Sequence, residues 1–328
     1  MAVQKDNAIR FGLGVDQVSP DTALRYDGDS GQSSARRLVN LDVTNGRTLQ
    51  RRSGSVQVVD MADCHSLWSD DDVAYFVAGS TLYSFDGANY TSLVTGLSPG
   101  FKVSYDKVAD DIYWSNGVNS GVLLDGSVNT AWGAADTAGN LGQTYAAQVR
   151  GSIVRHYRGR IYAIDGRVIW ATDPMDYLRV DLMRGFLMME SEIVLFEPVA
   201  NGIFVGTQNE GVRFLAGADF KQFQLVKADS LPAVRGSGLR IDGALFGSLG
   251  DAAIWLTTQG WVFGAGDGTT KRLTDDRMAL PAYESAVSIF READGIKQIL
   301  SFAKGGSDSA GASDVMTTEV IRNGVLLV

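Results

Sequence analysis

The sequence has very few of the residues that make cross-links, metal sites and membrane spans. Among its 328 residues are one cysteine and two histidines, so an internal disulfide and a Cys/His zinc site are both excluded. No apolar run approaches the ~18 residues of a transmembrane helix, and the first residues lack the apolar stretch of a secretory signal. We therefore expect no metal, no cofactor, no membrane insertion and no Sec-type signal peptide.

Proline is also scarce, with 6 residues against 38 glycines, while 45% of the chain is hydrophobic. A disordered linker would be rich in both proline and glycine. The balance indicates a folded chain that turns often at glycine. The formal net charge of −9 disfavours general adhesion to nucleic acid. It does not exclude a protein that lies next to DNA without binding it.

Short β-branched and aromatic segments closed by Gly, Asp or Asn predict strands almost throughout. Clear examples are residues 73–77, 160–164, 202–205 and 253–256. A helix over 282–290 is the local alternative near the C-terminus. The Asp294-Gly295 turn favours a hairpin there, with strands at 287–290 and 296–300.

These strands form a repeat in which an aromatic strand, a glycine turn and a second apolar strand recur. The anchor residues are Tyr75, Tyr113, Tyr162, Phe204 and Trp255, spaced by 38, 49, 42 and 51 residues, with Leu300 a further 45 along. The spacing matches the ~40–50 residues of a four-stranded propeller blade. We predict an all-β fold, a β-propeller of about six blades with seven as the other count; a pair of β-sandwiches is the alternative.

The predicted domain organisation is an N-terminal arm at 1–36 followed by one propeller domain at 37–328. Strands at 38–43 and 55–59 flank an Asn45-Gly46 turn and are candidates to complete the last blade, closing the ring. The 51-residue step between anchors predicts an insertion around 231–242.

No motif predicts catalysis or ligand binding. The glycine-rich segment 264–268 is followed by a strand-like run instead of the helix that a phosphate loop needs, so it is interpreted as a hairpin loop. The acidic segments 27–31, 70–72 and 275–276 lack the glycine and glutamate of an EF-hand. They are interpreted as solubilising turns.

Candidate catalytic side chains are isolated. Cys64 is predicted to be a small buried hydrophobe, and its neighbour His65 points to the opposite face of a strand. His156 is predicted to be a hydrogen-bonded surface residue. Three acids are carboxylate candidates without further support: Glu190, Glu192 and Glu197. We predict that the protein is not an enzyme.

Two arginine clusters stand out in this acidic chain. The first contains Arg36, Arg37, Arg47, Arg51 and Arg52; the second contains Arg150, Arg155, Arg158 and Arg160. Arginine favours bidentate pairs with carboxylates at interfaces. For the first cluster, a subunit or adaptor interface and ordinary surface ion pairing both remain open. For the second cluster, ordinary surface pairing is favoured.

The segment 39–54 carries an asparagine, alternating apolar residues, and then glycine, arginine and glycine positions. It resembles a segment near the N-terminus of the tail nozzle, or tail hub, proteins of short-tailed bacteriophages, where it precedes propeller blades. The resemblance covers this signature and the repeat of predicted propeller blades that follows it.

The resemblance implies a structural virion protein, made in the bacterial host cytoplasm. It would form a ring, usually a hexamer, below the head-to-tail adaptor, and would contact the adaptor and tail fibre or spike proteins. Genome DNA would pass through the lumen without specific binding. Arg47, Arg51 and Arg52 would lie at subunit or adaptor contacts.

Two other functions remain open. A receptor- or carbohydrate-binding propeller at a tail tip would expose tryptophans such as Trp68, Trp132 or Trp261 for stacking on sugars. A propeller hydrolase is the third possibility. Buried tryptophans would favour the structural function, and a row of exposed ones would favour receptor binding.

Overall fold

The structure is a computed structural model. It describes residues 13, 15–20, 24, 26–27, 32–35, 41–43, 49–51, 57–70, 72–139, 141–274, 277–278, 280, 283–293, 295–305, 315–322 and 325–327. The chain divides into two compact units. Unit 1 contains Met1–Ser55, Glu197–Gly217 and Phe223–Val328, and unit 2 contains Val56–Phe196 and Ala218–Gln222.

Two short antiparallel hairpins come first along the chain. The first pairs β1 (Tyr26–Asp27) with β2 (Gln32–Ser33), and the second pairs β3 (Leu41–Val43) with β4 (Leu49–Arg51). Within the predicted arm, Val15 forms a parallel bridge with Ala35, and the Gln17 N–H donates to the Arg277 carbonyl at 2.7 Å. The predicted boundary at 36/37 lies outside the described residues.

Six four-stranded antiparallel sheets follow among the described residues, and in each one consecutive strands are neighbours. Unit 2 holds sheet 1, sheet 2 and sheet 3, with strands β5 (Cys64–Asp70), β6 (Val73–Ala78), β7 (Thr81–Phe85), β8 (Tyr90–Val94); β9 (Ser104–Val108), β10 (Asp111–Ser115), β11 (Ser120–Leu124), β12 (Val128–Thr130); β13 (Ile153–Tyr157), β14 (Arg160–Asp165), β15 (Val168–Ala171), β16 (Phe186–Met188). The remaining sheets 4, 5 and 6 have strands β17 (Ile193–Val199), β18 (Gly202–Thr207), β19 (Val212–Ala216), β20 (Gln224–Asp229); β21 (Leu239–Asp242), β22 (Asp251–Thr257), β23 (Gly260–Gly264), β24 (Thr270–Arg272); β25 (Tyr283–Ala293), β26 (Ile296–Gly305), β27 (Val315–Arg322), β28 (Val325–Leu327). Two 3-10 helices complete the set, Phe220–Gln222 and Gly243–Phe246.

The predicted all-β class and the repeat are confirmed. Every anchor residue lies on the second strand of its sheet and is buried: Tyr75, Tyr113, Tyr162, Phe204, Trp255 and Leu300. The repeat differs in phase from the predicted one, because each sheet begins one strand before its anchor. That first strand carries polar residues beside the apolar ones, and the aromatic signal therefore starts one strand late.

In unit 2, consecutive sheets share their buried faces. One apolar cluster joins Tyr75 and Leu82 of sheet 1 to Ile112 of sheet 2, and another joins Tyr113 of sheet 2 to Ile161 of sheet 3. The first strands β9 and β13 lie side by side. A sheet with two apolar faces cannot cover both by itself, so stacking its neighbours on each side buries both faces.

Backbone groups of β13 are satisfied by side chains of the neighbouring strand. The Val154 N–H donates to Ser104 Oγ at 3.0 Å, and the His156 N–H donates to Asp106 Oδ2 at 2.6 Å. Buried N–H groups need such partners. Polar residues on the first strands therefore connect consecutive sheets.

Unit 1 repeats this packing in its last two sheets. One cluster joins Ile254 and Trp261 of sheet 5 to Ile299 of sheet 6. The Phe204 ring lies 5.1 Å from the Trp255 ring, and both pack against Gly264, where a Cβ would lie 2.5 Å from the Phe204 ring. Gly264 therefore permits the close approach of two aromatic strands.

Local predictions had mixed outcomes. The C-terminal hairpin around Gly295 is confirmed, and so is the hairpin loop at 264–268 between β23 and β24. The strand predicted at 55–59 is wrong where it is described, at 57–59; the partner of β3 is β4 instead. The predicted turn Asn45-Gly46 lies outside the described residues.

The insertion predicted at 231–242 is right in part. Residues 230–238 form the connection between β20 and β21, but residues 239–242 are β21 itself, a regular strand of sheet 5. Further length between Phe204 and Trp255 lies in the segments that carry the two 3-10 helices, 217–223 and 243–250. Among the described residues, neither helix has the length or apolar character to cross a membrane.

Candidate interaction surface

The first arginine cluster is mostly beyond the part of the chain that the structure describes. Arg36, Arg37, Arg47 and Arg52 lie outside the described residues. Arg51 is described: it is the last residue of β4, is exposed, and pairs across the hairpin with Leu41. Its exposure is compatible with either an interface or a solvated surface.

The second cluster supports the packing of sheet 3. Arg155 Nη1 donates to Ser104 Oγ at 3.2 Å, and Arg160 Nη1 donates to the Thr172 carbonyl at 2.5 Å. The Arg158 guanidinium lies 5.4 Å from the Tyr157 ring centroid. Arg150 is exposed. Carbonyls and aromatic faces, not only carboxylates, are therefore the partners in this cluster.

Cys64 is exposed, so the prediction of a small buried residue is wrong. Its thiol donates to the Met61 carbonyl at 3.3 Å. The residue opens β5, at the end of a strand, where it is not covered by a neighbouring sheet. His65 Nδ1 lies 2.7 Å from Ser66 Oγ, and burial lowers the pKa of its imidazole. His156 is half-buried, with its ring edge-on to Tyr177.

The carboxylate candidates have different surroundings. Glu190 and Glu192 are exposed, whereas Glu197 is buried within β17. Within the described ranges, no group of three or more His, Cys, Asp or Glu side chains is placed to hold a metal ion.

The six tryptophans do not present a row of exposed rings. Trp114, Trp132, Trp255 and Trp261 are buried, and Trp68 and Trp170 are half-buried. Trp68 stacks on Tyr105 at 5.7 Å between centroids. The aromatic faces are used for packing between strands.

The most distinctive surface is a pair of interlocked loops in unit 2, which we call the double loop. It comprises residues 131–139 and 141–152, between β12 and β13, and residues 172–185, between β15 and β16. The Ala146 N–H donates to the Val180 carbonyl at 3.0 Å, and the Leu182 N–H donates to the Thr144 carbonyl at 2.8 Å. These bonds join the two loops as a short sheet would.

A buried aromatic cluster fixes the double loop to sheet 2. The Trp132 indole N–H donates to the Tyr177 carbonyl at 2.9 Å. Tyr113 lies edge-on to both Trp132 and Tyr177, at 5.6 and 6.0 Å. Burial, with smaller contributions from Asp111, Tyr177 and Asp176, raises the pKa of Tyr113 to about 12. The phenol therefore stays neutral in the apolar cluster.

Apolar side chains cover the outside of this well-anchored structure. The exposed ones on the double loop and the adjoining strand β16 are Leu141, Met175, Leu178, Leu182, Met183, Phe186 and Met188. We call these seven residues the double-loop surface. Its backbone is strained at one point, because Met175 has φ 59°, a left-handed conformation that non-glycine residues rarely adopt.

This surface is not predicted from the sequence. Its signal is the run of leucine and methionine after Pro174, which follows neither a strand nor a helix period. An apolar run without a period in a loop could have been recognised as exposed. The bond from Trp132, 45 residues earlier, could not have been predicted from spacing.

The stacked four-stranded sheets define a class, the all-β chains with a β-propeller type of fold. No protein-family model and no curated protein matches the sequence. The crystal structure of BBS1N in complex with ARL6DN, soaked with mercury, is similar with a TM-score of 0.52 at 12% identity, covering 88% of each chain. Its lead-soaked form has a TM-score of 0.52 at 11% identity, covering 88% of this chain and 89% of that chain.

The WD40 domain of Neurospora crassa Pan2 has a lower TM-score of 0.43 at 13% identity, covering 71% of this chain and 70% of that chain. At such identities the similarity concerns the fold alone.

Proposed function

We propose that this protein is a structural component of a bacteriophage tail, a non-enzymatic nozzle or hub ring below the head-to-tail adaptor. Six copies of the chain form the ring, and its lumen is part of the DNA ejection channel. The adaptor and the tail fibre or spike proteins are its partners in the virion.

The observation that carries the proposal is the order of features along the chain. The signature at 39–54 precedes a series of four-stranded antiparallel sheets, as in the family that the signature resembles. The four fully covered tryptophans add support, because they stabilise packing and offer no face to a sugar. Sugar binding and hydrolysis have no comparable observation in their favour.

The charge of the chain fits a conduit. A ring of six copies would carry 6 × −9, or −54, formal charges. Acidic walls repel phosphates, so DNA would slide past them instead of binding. An assembled ring with a basic lumen would contradict this part of the proposal.

The first experiment is electron microscopy of the purified full chain. We expect class averages of a ring with a central hole and six-fold symmetry. A protein that stays monomeric at every concentration tested would contradict the ring.

The arginines of the signature provide a second test. Replacing Arg47, Arg51 and Arg52 together with Ala should impair assembly, because guanidinium pairs at subunit or adaptor contacts are lost. The temperature of thermal unfolding should be unchanged. The triple Lys variant keeps the positive charges but loses the bidentate hydrogen bonds of the guanidinium groups, so its assembly should be intermediate between that of wild type and that of the Ala variant. Normal assembly of the Ala variant would show that these three arginines do not contribute to the contacts.

A further inference from the structure

Met175 combines a highly exposed side chain with a hydroxyl group in contact with its sulfur atom. The residue is 74% exposed, and the Tyr177 hydroxyl donates to Met175 Sδ at 3.6 Å. A thioether sulfur accepts hydrogen bonds only weakly, so this bond adds little to the stability of the loop. The same sulfur lone pairs are the electrons that peroxides remove when they oxidise methionine.

The turn between β13 and β14 fixes the position of the methionine. The Met175 N–H donates to the Gly159 carbonyl at 2.7 Å, and Met175 itself has φ 59°. A Cβ at position 159 would lie 2.9 Å from Met175 Sδ. The sulfur therefore lies in space that only a glycine leaves open, next to an ordered turn.

The tyrosine is fixed from the other side. Its carbonyl accepts the Trp132 indole N–H at 2.9 Å. Its ring lies edge-on to Tyr113 at 6.0 Å and to His156 at 5.8 Å between centroids. Because the backbone and the ring of Tyr177 are both held, the hydroxyl is preorganised beside the sulfur of Met175.

Other methionines provide matched comparisons for this arrangement. Met183 is 71% exposed on the same loop, and within the described part of the chain its sulfur has no hydrogen bond. Met278 has a hydroxyl contact, from Thr274 Oγ1 at 3.9 Å, but is only 2% exposed, and Met189 is 6% exposed. Among these four methionines, Met175 alone combines exposure with a hydroxyl contact.

We propose that Met175 is a site of oxidation by hydrogen peroxide and organic hydroperoxides, with the Tyr177 hydroxyl as the proton donor. The sulfur lone pair forms a bond to one peroxide oxygen while the O–O bond breaks, so the sulfur is oxidised and the peroxide is reduced. The Tyr177 hydroxyl protonates the departing oxygen and then takes back the proton of the new S–OH group. The products are methionine sulfoxide and water, or an alcohol from an organic hydroperoxide, and the phenol is regenerated.

The product also fits the site. A sulfoxide oxygen accepts hydrogen bonds, so the Tyr177 hydroxyl donates to it when the oxygen is on the side facing the ring. Only one of the two sulfoxide epimers places the oxygen there. The modification turns an apolar residue of the double-loop surface into a polar one, and it is reversible because methionine sulfoxide reductases each reduce one epimer. This inference does not depend on the proposed ring.

The first test treats the full chain with limiting hydrogen peroxide and measures the rate at each methionine by peptide mass spectrometry. In wild type, Met175 should react at least about threefold faster than Met183, and both should react faster than Met189 and Met278. Tyr177→Phe keeps the ring and the carbonyl but loses the proton. In this variant Met175 should slow to the rate of Met183, whose own rate should not change.

The second test reads the epimer of the sulfoxide with the two epimer-specific reductases. We expect mainly one epimer at Met175 in wild type and nearly equal amounts of both at Met183. In Tyr177→Phe the two epimers at Met175 should also become nearly equal, while hydrogen exchange in 173–182 stays as in wild type. A purely structural contribution of the ring would not produce this change.

Two results would overturn the proposal. Equal rates at Met175 and Met183 in wild type would show that Met175 is not a preferred site, and this comparison requires no variant. An unchanged rate and epimer ratio at Met175 in Tyr177→Phe would show that the hydroxyl takes no part. Both measurements are made equally well on monomer or ring, so their failure leaves the proposed function untouched.

Discussion

Sheet 5 and sheet 3 share one strand plan but differ at their edges. In sheet 5, β22 and β23 are buried along nearly their whole length, and a short turn leads to β24, with the Ala265 N–H donating to the Thr269 carbonyl at 2.8 Å. Sheet 3 has an equally buried β14, but residues 172–185 separate β15 from β16. The scaffold stays constant while its connections differ, and connections are where interaction surfaces are usually found.

The sharpest contrast between the two regions should appear on removing a large side chain from each. Trp255→Ala in sheet 5 should cost about 3–5 kcal/mol, because the ring is fully buried against Phe204. Met183→Ala on the double loop should change stability by no more than ~0.5 kcal/mol. Urea unfolding of the monomer measures both. Similar losses for the two variants would mean that the double loop is part of the core.

A smaller change in sheet 5 tests its close packing. Gly264→Ala would place a Cβ 2.5 Å from the Phe204 ring and 2.7 Å from the Trp255 ring, and such overpacking costs about 1–3 kcal/mol. Phe204→Leu in the same chain should recover part of that loss, since it removes the clashing ring. Strictly additive losses in this double-mutant cycle would contradict the contact.

The anchor of the double loop can be tested with matched tryptophans. Trp132→Phe removes the bond to the Tyr177 carbonyl and should cost about 1–2 kcal/mol, with faster hydrogen exchange in 173–182. Trp114→Phe also removes one indole bond, to Asn129 at 3.0 Å, but in sheet 2. It should leave exchange in 173–182 unchanged. Equal rates of hydrogen exchange in 173–182 for the two variants would show that Trp132 does not stabilise this loop.

The smallest effect concerns alkaline pH. Burial raises the pKa of Tyr113 from 10 to about 12, so the unfolded chain releases this proton at a lower pH than the folded chain. The stabilising contribution is complete below pH 10 and is lost as pH rises towards 12. Tyr113→Phe should therefore flatten the decline of unfolding free energy across that range. An unchanged slope would show that this phenol does not couple to folding.

The fold was predictable from sequence because its signal repeats. Residues such as Tyr113 and Trp255 mark the second strand of each sheet, where burial on both faces selects aromatic side chains. The first strands have a weaker apolar pattern, because some of their residues are polar and bind the neighbouring strand. Asp106, for example, accepts a hydrogen bond from the His156 N–H. The phase of the repeat therefore became clear only from the structure.

The candidate surface was not predictable in the same way. The double loop has no period, and its order depends on Trp132 reaching Tyr177 across 45 residues. Cys64 was mistaken for a buried residue because a preference of the residue type says nothing about its place at the end of a strand. The signature arginines, apart from Arg51, lie outside the described residues and their role stays a prediction.

A cryo-electron microscopy reconstruction of the assembled full chain tests the central claim most directly. We predict a ring of six copies around a central hole. A protein that stays monomeric in every preparation would contradict the ring.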